Sequence, residues 1–204
     1  LQETNQVLHV LIESLKLKKC FEVSFVYGMN TDTDRKALWR TLTSIGHTNP
    51  GTPWMAMGDF NEVLAPAEIF GGNQQWDPGM SDFNATVNTC CLTDLRYTGC
   101  YYTWSNKRIN REDFTERKLD RALINSEWLD VFPNSHAQFQ PAGISDHSPI
   151  LVNVGQQSNR KGLPFKFYNY WTTMENYDNV VAEAWNTNVE GTPQFQLCHK
   201  LRYV

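Results

Sequence analysis

The chain has 204 residues, 41% of them hydrophobic and 13% aromatic, so it is long and apolar enough to fold around at least one core. Its formal net charge of −4 argues against a uniformly basic surface for nucleic acid, although a bound cation offsets carboxylates locally. No apolar run is long enough to cross a bilayer, and residues 1–4 lack the features of a signal peptide, so we expect a nuclear or cytoplasmic protein without membrane contact. Five cysteines without the paired spacing of zinc sites are typical of reduced thiols.

The first third of the chain predicts a β-hairpin followed by a helix. Residues 7–12 and 21–27 have the alternation of β-strands, and the lysine-rich turn between them predicts that they pair. Apolar residues then recur at helical spacing over positions 37–45, after several capping oxygens at 31–33. We therefore expect a helix of about three turns that ends at Gly46.

The middle of the chain predicts more strands with helices between them. Pro53 opens a short buried strand that ends at Gly58, and Ser81 is the expected cap of a helix that carries Phe83 and Val87. A short helix is predicted over residues 126–132. Further strands are predicted at residues 101–104, 119–124, 136–139 and 150–154. This order predicts an α/β (α+β) layered sandwich of mixed β-sheets flanked by helices.

The composition changes after Val154. Residues 155–162 read as a polar linker, so we expect one domain over residues 1–154 and a separate segment over residues 163–204. That segment has aromatic residues and then two helical patterns, the second of which begins near Pro193.

The motif Gly58-Asp59-Phe60-Asn61 directly follows a buried strand. Asp59 and Asn61 are two positions apart, so one side chain can approach a phosphate or its attacking water while the other hydrogen-bonds it without adding charge. An ordinary Asp/Asn turn after a strand fits the same residues.

Asp146 and His147 stand at the entrance of another strand. They combine a ligand for a hard cation with a titratable imidazole, and a separate carboxylate such as Asp120 can hold that ring in one tautomer. Asp120 itself interrupts an apolar run, so its charge needs a partner or a metal. A solvated salt bridge from Asp120 to Arg121, Lys118 or Arg117, and a loop turn at Asp146, are the alternatives.

Two further segments are suitable for binding phosphate or nucleic acid. Tyr27 ends a strand and presents a phenol, and Gly28 allows a close backbone approach, although an ordinary hairpin end has the same residues. Residues 101–106, followed by Lys107 and Arg108, combine aromatic rings with cations as a nucleic-acid groove does. A strand with packed aromatics and solvated cations explains the second segment equally well.

Together these motifs resemble the later motifs of the endonuclease/exonuclease/phosphatase superfamily, which includes abasic-site endonucleases and pancreatic-type deoxyribonucleases. More closely, residues 25–30, 53–61, 102–104 and 119–123 resemble the endonuclease of plant LINE-type (non-LTR) retrotransposons. Residues 165–201 are similar to the linker that leads to the reverse transcriptase of those elements. The resemblance implies a deoxyribonuclease-like fold and metal-assisted hydrolysis of phosphodiesters, with Mg²⁺, or Mn²⁺ in its place, as cofactor and DNA as substrate.

The resemblance also implies a role for each motif residue. Asp59 would orient or deprotonate the attacking water, Asn61 would hold the water or the phosphate, and Tyr27 would support the phosphate. The other three roles are metal binding by Asp146, stabilisation of charge on the scissile phosphate by His147, and orientation of His147 by Asp120.

The chain departs from the superfamily pattern before Tyr27. The early Asn and the metal-binding Glu of that pattern have no room there, so we expect a truncated domain without its N-terminal half and weak or absent activity. Glu3 stands in a stretch that resembles the glutamate motif, but it lies only 24 residues before Tyr27, so we interpret it as a look-alike. The lost strands predict exposed sheet edges, through which the chain associates with itself or with a partner chain.

Two other functions fit the same residues. One is a catalytically inactive remnant that at most binds nucleic acid or protein through its aromatic surface. The other is a phosphatase of the same superfamily that acts on a small soluble phosphoester. Metal-dependent cleavage of DNA is expected of an endonuclease and of neither of these two alternatives.

Overall fold

The computed structural model describes residues 1–48, 50–155, 172 and 174–201, and the chain forms two compact units, Leu1–Arg160 and Lys161–Val204. Most of the predicted linker 155–162 lies outside the described residues, so that boundary stays a prediction. Within the described ranges, no helix has the length and apolar character needed to cross a membrane.

The described part of the first unit contains β-strands and three α-helices. The strands, in chain order, are β1 Gln2–Glu3, β2 Val7–Ser14, β3 Lys19–Tyr27, β4 Trp54–Asp59, β5 Ile69–Phe70, β6 Thr93–Asp94, β7 Tyr97–Gly99, β8 Trp104–Ser105, β9 Glu116–Arg117, β10 Asp120–Ile124, β11 His136–Phe139 and β12 Ile150–Asn153. The helices are α1 Asp32–Thr48, α2 Pro78–Thr89 and α3 Ser126–Val131, with a 3₁₀ turn at Pro66–Glu68. The second unit contains α4 Tyr177–Asn186 and α5 Pro193–Lys200, and α5 begins at the predicted residue Pro193.

Six strands form the main sheet, in the order β1-β2-β3-β4-β10-β6. The predicted hairpin is confirmed, because β2 and β3 pair antiparallel with Val7 opposite Val26. Strands β3 and β4 are parallel, and β10 runs antiparallel to β4. The C-terminal ends of β3 and β4 therefore lie beside the N-terminal end of β10, at one end of the sheet.

Two apolar layers cover the faces of this sheet. Helices α1 and α2 pack on one face through a core that includes Trp39 and Phe83, whose rings stack with centroids 4.8 Å apart. The other face packs against the sheet β12-β11-β7 through a second core, which includes Phe21, Met55 and Phe139. The sheet is thus the centre of a layered α/β sandwich, as predicted.

The predicted end of α1 at Gly46 is wrong, because the helix continues to Thr48. A Cβ at Gly46 would lie 3.2 Å from the Trp54 ring and 3.3 Å from the Cys90 sulfur. The glycine therefore allows close packing of α1 against its neighbours rather than stopping the helix.

Two other local predictions are also wrong. Helix α2 is capped by Asp77, whose carboxylate accepts a bond of 2.9 Å from the Met80 amide, and Ser81 lies inside the helix. Pro78 at the first helical position was the sequence signal for this earlier start. In the segment 101–104 only Trp104 is in a strand, β8, which pairs with β9.

Large apolar side chains remain exposed on the hairpin. Leu11 is 63% exposed, Phe25 44% and Leu8 41%, and Leu8 and Phe25 are paired across β2 and β3. The predicted association through exposed sheet edges stays a prediction.

Candidate active site

Three of the candidate residues form one row across the end of the main sheet. Tyr27 is paired with Asp59, and Asp59 is paired with Asp120, on the neighbouring strands β3, β4 and β10. Because alternate residues of a strand share a face, the row lies on the same face as Met57 and Ala122, which belong to the second core. Strand register thus brings together residues that are 93 positions apart in the sequence.

His147 completes the row from a loop that precedes β12. Its Nδ1 lies 2.9 Å from Oδ2 of Asp120, and its backbone forms an isolated antiparallel bridge with Trp104. A carboxylate only accepts hydrogen bonds, so we place the proton of the neutral ring on Nδ1. Nε2 then faces Asp59, 3.9 Å from its Oδ2.

Asp59 is held in an environment that disfavours its charge. Burial first, and then the nearby charge of Asp120, raise its pKa from 3.8 to about 6. The amide of Asn61, which donates to Asp59 Oδ1 at 2.8 Å, and the charge of His147 oppose this rise. Burial also raises the pKa of Asp120, against the hydrogen bond from His147.

The charge of His147 is favoured by its carboxylate neighbours. Burial alone would lower its pKa, but the hydrogen bond to Asp120 and the charges of Asp120 and Asp59 outweigh burial and raise it. The half-buried ring can therefore carry a positive charge directly beside the two carboxylates.

Asn61 and Tyr27 border this cluster. Asn61 adopts the left-handed conformation with φ +52°, and its Nδ2 donates to the carbonyl of Gly28 at 3.2 Å and to Oδ1 of Asn30 at 2.6 Å. With both amide hydrogens donated, its Oδ1 is the group left to accept a hydrogen bond. Tyr27 is 67% exposed at the end of the row.

Asp146 lies beside the cluster rather than in it. Its carboxylate is exposed and accepts from the Trp104 indole at 3.1 Å, a hydrogen bond that lowers the Asp146 pKa. Its assignment as the metal ligand stays a prediction.

The donor atoms of Asp59, Asp120 and His147 suit a divalent cation. One ligand atom from each residue lies within 4.8 Å of the others. Carboxylate oxygens are the ligands that Mg²⁺ prefers, and Mn²⁺ also accepts imidazole nitrogen. A cation here would offset the repulsion that raises the pKa of Asp59.

The alternative, in which Asp120 forms a salt bridge with a neighbouring cation, is wrong for Arg121 and for Lys118. Arg121 pairs with Glu68 and Asp94, and Lys118 lies 2.9 Å from Asp94. The partner of Asp120 is His147 instead.

Sequence reasoning missed several residues that support the site. Thr103, only 1% exposed, accepts from the Asp120 amide at 2.8 Å. Buried Arg35 and Glu62 connect the loops that follow β3 and β4. The only sequence signals were a cation inside the first turn of α1 and an acid directly after Asn61.

Glu3 lies on β1, three strands from β4. At about 4.8 Å per strand this is roughly 14 Å of lateral separation, too far to share one ion with Asp59. The geometry agrees with its interpretation as a look-alike.

The central mixed sheet carries helices on one face, and the carboxylate–imidazole row lies where three of its neighbouring strands meet. No protein-family profile and no curated protein matches the chain. Among solved structures, the 3′-phosphatase NExo from Neisseria bound to a product DNA hairpin matches with a TM-score of 0.53 and 17% identity, over 72% of this chain and 64% of that chain.

Two other solved structures are similar at lower scores. The 3′-5′ exonuclease NExo from Neisseria meningitidis has a TM-score of 0.48 and 18% identity, over 65% of this chain and 60% of that one. An endonuclease/exonuclease/phosphatase family protein from Bacteroides thetaiotaomicron has a TM-score of 0.41 and 15% identity, over 71% and 54%. The chain shares the fold of the DNA-bound Neisseria 3′-phosphatase, and it spans less than two thirds of the length of each of these three structures.

Proposed function

We propose that the first unit hydrolyses phosphodiester bonds with a divalent cation, Mg²⁺ or Mn²⁺. The observation that carries this proposal is the register of β3, β4 and β10, which places Asp59 and Asp120 side by side with His147 within hydrogen-bonding distance of Asp120. Two carboxylates and an imidazole at the end of strands suit activation of water and stabilisation of a charged phosphate.

In this mechanism the residues of the chain have distinct tasks. Asp59 accepts a proton from the attacking water, and the free carbonyl oxygen of Asn61 orients that water. His147, protonated and held by Asp120, stabilises the charge on the phosphate, and the Tyr27 phenol supports a phosphate oxygen. Asp146 would help the carboxylates of Asp59 and Asp120 to hold the cation, which the protonated ring of His147 cannot bind. When bound, the cation would lower the pKa of its water and neutralise phosphate charge.

We further propose DNA as the substrate and nicking by a LINE-type retrotransposon endonuclease as the parent activity. The support is the amino-acid sequence of the motifs at residues 25–30, 53–61 and 119–123, together with the DNA-bound Neisseria structure of the same fold. On this proposal the segment 163–204 is the linker toward a reverse transcriptase.

Nicking of supercoiled plasmid tests the proposal. The full chain is compared in Mg²⁺, in Mn²⁺ and in chelator with Asp59→Asn and His147→Gln, and with Asp130→Asn as a matched change of an exposed carboxylate on α3. We expect weak metal-dependent nicking that both site variants lose and that Asp130→Asn keeps.

The alternatives predict other outcomes. A folded chain that shifts DNA in a gel without cutting it would support the inactive binding remnant. Metal-dependent release of phosphate from a soluble phosphoester, lost in Asp59→Asn and without DNA nicking, would support the small-substrate phosphatase. Nicking equal in wild type and Asp59→Asn would refute the assigned site.

A further inference from the structure

A buried guanidinium outside the carboxylate row joins the two loops that carry the site. Arg35, on α1, is 3% exposed. Its Nη1 donates to the carbonyls of Met29 and Asn30, both at 2.9 Å, in the loop after β3. Its Nη2 donates to Oε2 of Glu62 at 2.5 Å, in the loop after β4, and also to Asp32.

Glu62 is enclosed as tightly as its partner. It is 5% exposed, and its second oxygen accepts from the amide of Val63 at 3.0 Å. Gly79, in the first turn of α2, packs directly on Oε2, where a Cβ would clash with the carboxylate. The pair is therefore held between α1 and α2, and both side chains are almost completely buried.

The pair acts on Asn61 through the first of the two loops. Both amide hydrogens of Asn61 are donated to that loop, to the Gly28 carbonyl and to the Asn30 side chain. Arg35 Nη1 also contacts Asn30, by donating to its backbone carbonyl at 2.9 Å. Glu62 follows Asn61 directly, so the ion pair also restrains the left-handed conformation of Asn61, which an asparagine adopts at some cost.

We propose that Arg35 and Glu62 are positioning residues that set the orientation of the Asn61 amide against Asp59. The inference rests on the proposed function, in which Asn61 orients the attacking water. Neither residue touches substrate. Loss of the pair lets the two loops move independently, and misplacement of a catalytic group by about 1 Å costs on the order of 100-fold in rate.

The test uses Glu62→Gln, which keeps shape but not charge, and Arg35→Lys, which keeps charge but not the two-pronged donor. The matched control is Ser135→Ala, which removes the buried hydrogen bond from Trp128 Nε1 at 2.9 Å, far along the chain from both loops. We expect kcat for nicking to fall about 10- to 100-fold in both pair variants with KM within about two-fold. Ser135→Ala should keep the wild-type kcat even if it lowers the free energy of unfolding as much as the two pair variants do.

A second readout is independent of activity. In protein labelled with ¹⁵N-asparagine, the side-chain amide of Asn61, assigned as the signal absent from Asn61→Asp, should shift and exchange faster in both pair variants but not in Ser135→Ala. If the wild type does not nick DNA, this result still supports the positioning pair while the proposed function fails. An unchanged Asn61 signal in a folded Glu62→Gln or Arg35→Lys variant would overturn the inference.

Discussion

The crowding of charge at Asp59 has a consequence for stability that can be measured without any substrate. The folded protein raises the pKa of Asp59 from 3.8 to about 6, chiefly by burial and then by the charge of Asp120. An acid whose folded pKa is raised costs stability when it is ionised, so the cost is fully present above about pH 6 and disappears as the pH falls toward 3.8. Asp59→Asn should therefore stabilise the metal-free chain at neutral pH.

The size of the effect follows from the pKa change. At about 1.4 kcal/mol for each pKa unit, a rise from 3.8 to about 6 corresponds to about 3 kcal/mol. The side chain is 9% exposed, so solvent screening reduces this figure little. Asparagine keeps an oxygen to accept from the Asn61 amide, although it loses the charge that strengthens this bond. We therefore expect a net gain of about 1–3 kcal/mol at pH 7.

Urea unfolding in chelator at pH 7 and at pH 4.5 measures this gain. The gain should be large at pH 7 and much smaller at pH 4.5, where Asp59 of the wild type is protonated for most of the population. Asp94→Asn is the contrasting control, because Asp94 accepts from Arg121 and Lys118, each at 2.9 Å, and its loss should destabilise at pH 7. Mg²⁺ should stabilise the wild type more than Asp59→Asn. A variant no more stable than the wild type at pH 7, or a gain equal at both pH values, would refute the reasoning.

Three further predictions concern the frame around the site. Burial lowers the pKa of His9, so the contribution of His9 to the free energy of unfolding should fall as the pH drops below about 6.5. His9→Gln should flatten this slope in urea titrations made in the Asp59→Asn background, and an unchanged slope would contradict it. Glu68→Ala leaves fully buried Arg121 without its closest carboxylate and should cost about 3–5 kcal/mol by urea unfolding; a loss below about 1 kcal/mol would mean that the pair contributes little. Gly28→Ala puts a Cβ 2.5 Å from a backbone oxygen of the loop after β4 and should cost about 1–3 kcal/mol and slow nicking, whereas wild-type melting and nicking would show that the loops yield easily.

Much of the fold could be predicted because its strands carry strong local patterns. The hairpin β2–β3 and the buried strands β4 and β10 follow from apolar alternation or short apolar runs between turn residues. The errors arose where one residue type serves two purposes. Gly46 was interpreted as a helix stop, although its missing side chain is needed for packing against Trp54. Such packing depends on residues distant in the sequence, which no local pattern contains.

The candidate site, like the fold, could be predicted only in part from the sequence. The sequence indicated the individual residues because carboxylates, an amide and an imidazole stood beside apolar runs. It could not give the distance of 2.9 Å between His147 and Asp120, nor show that Arg121 turns away from Asp120 toward Glu68, since both depend on strand register and on the 3₁₀ turn. Arg35 was missed because a cation in the first turn of a helix usually indicates a solvated surface.

The charges around the row explain why Asp59 and Asp120 have little positive charge close to them. Arg121 and Lys118 pair with Glu68 and Asp94, and Arg35 pairs with Glu62. Because these cations are already paired with other acids, the described residues next to Asp59 and Asp120 supply only His147 as a close positive partner. The carboxylates therefore stay undercompensated, which is the condition in which a cation or a proton from water is bound most readily. An additional arginine at this row would stabilise the fold but would occupy the place where the chemistry is proposed.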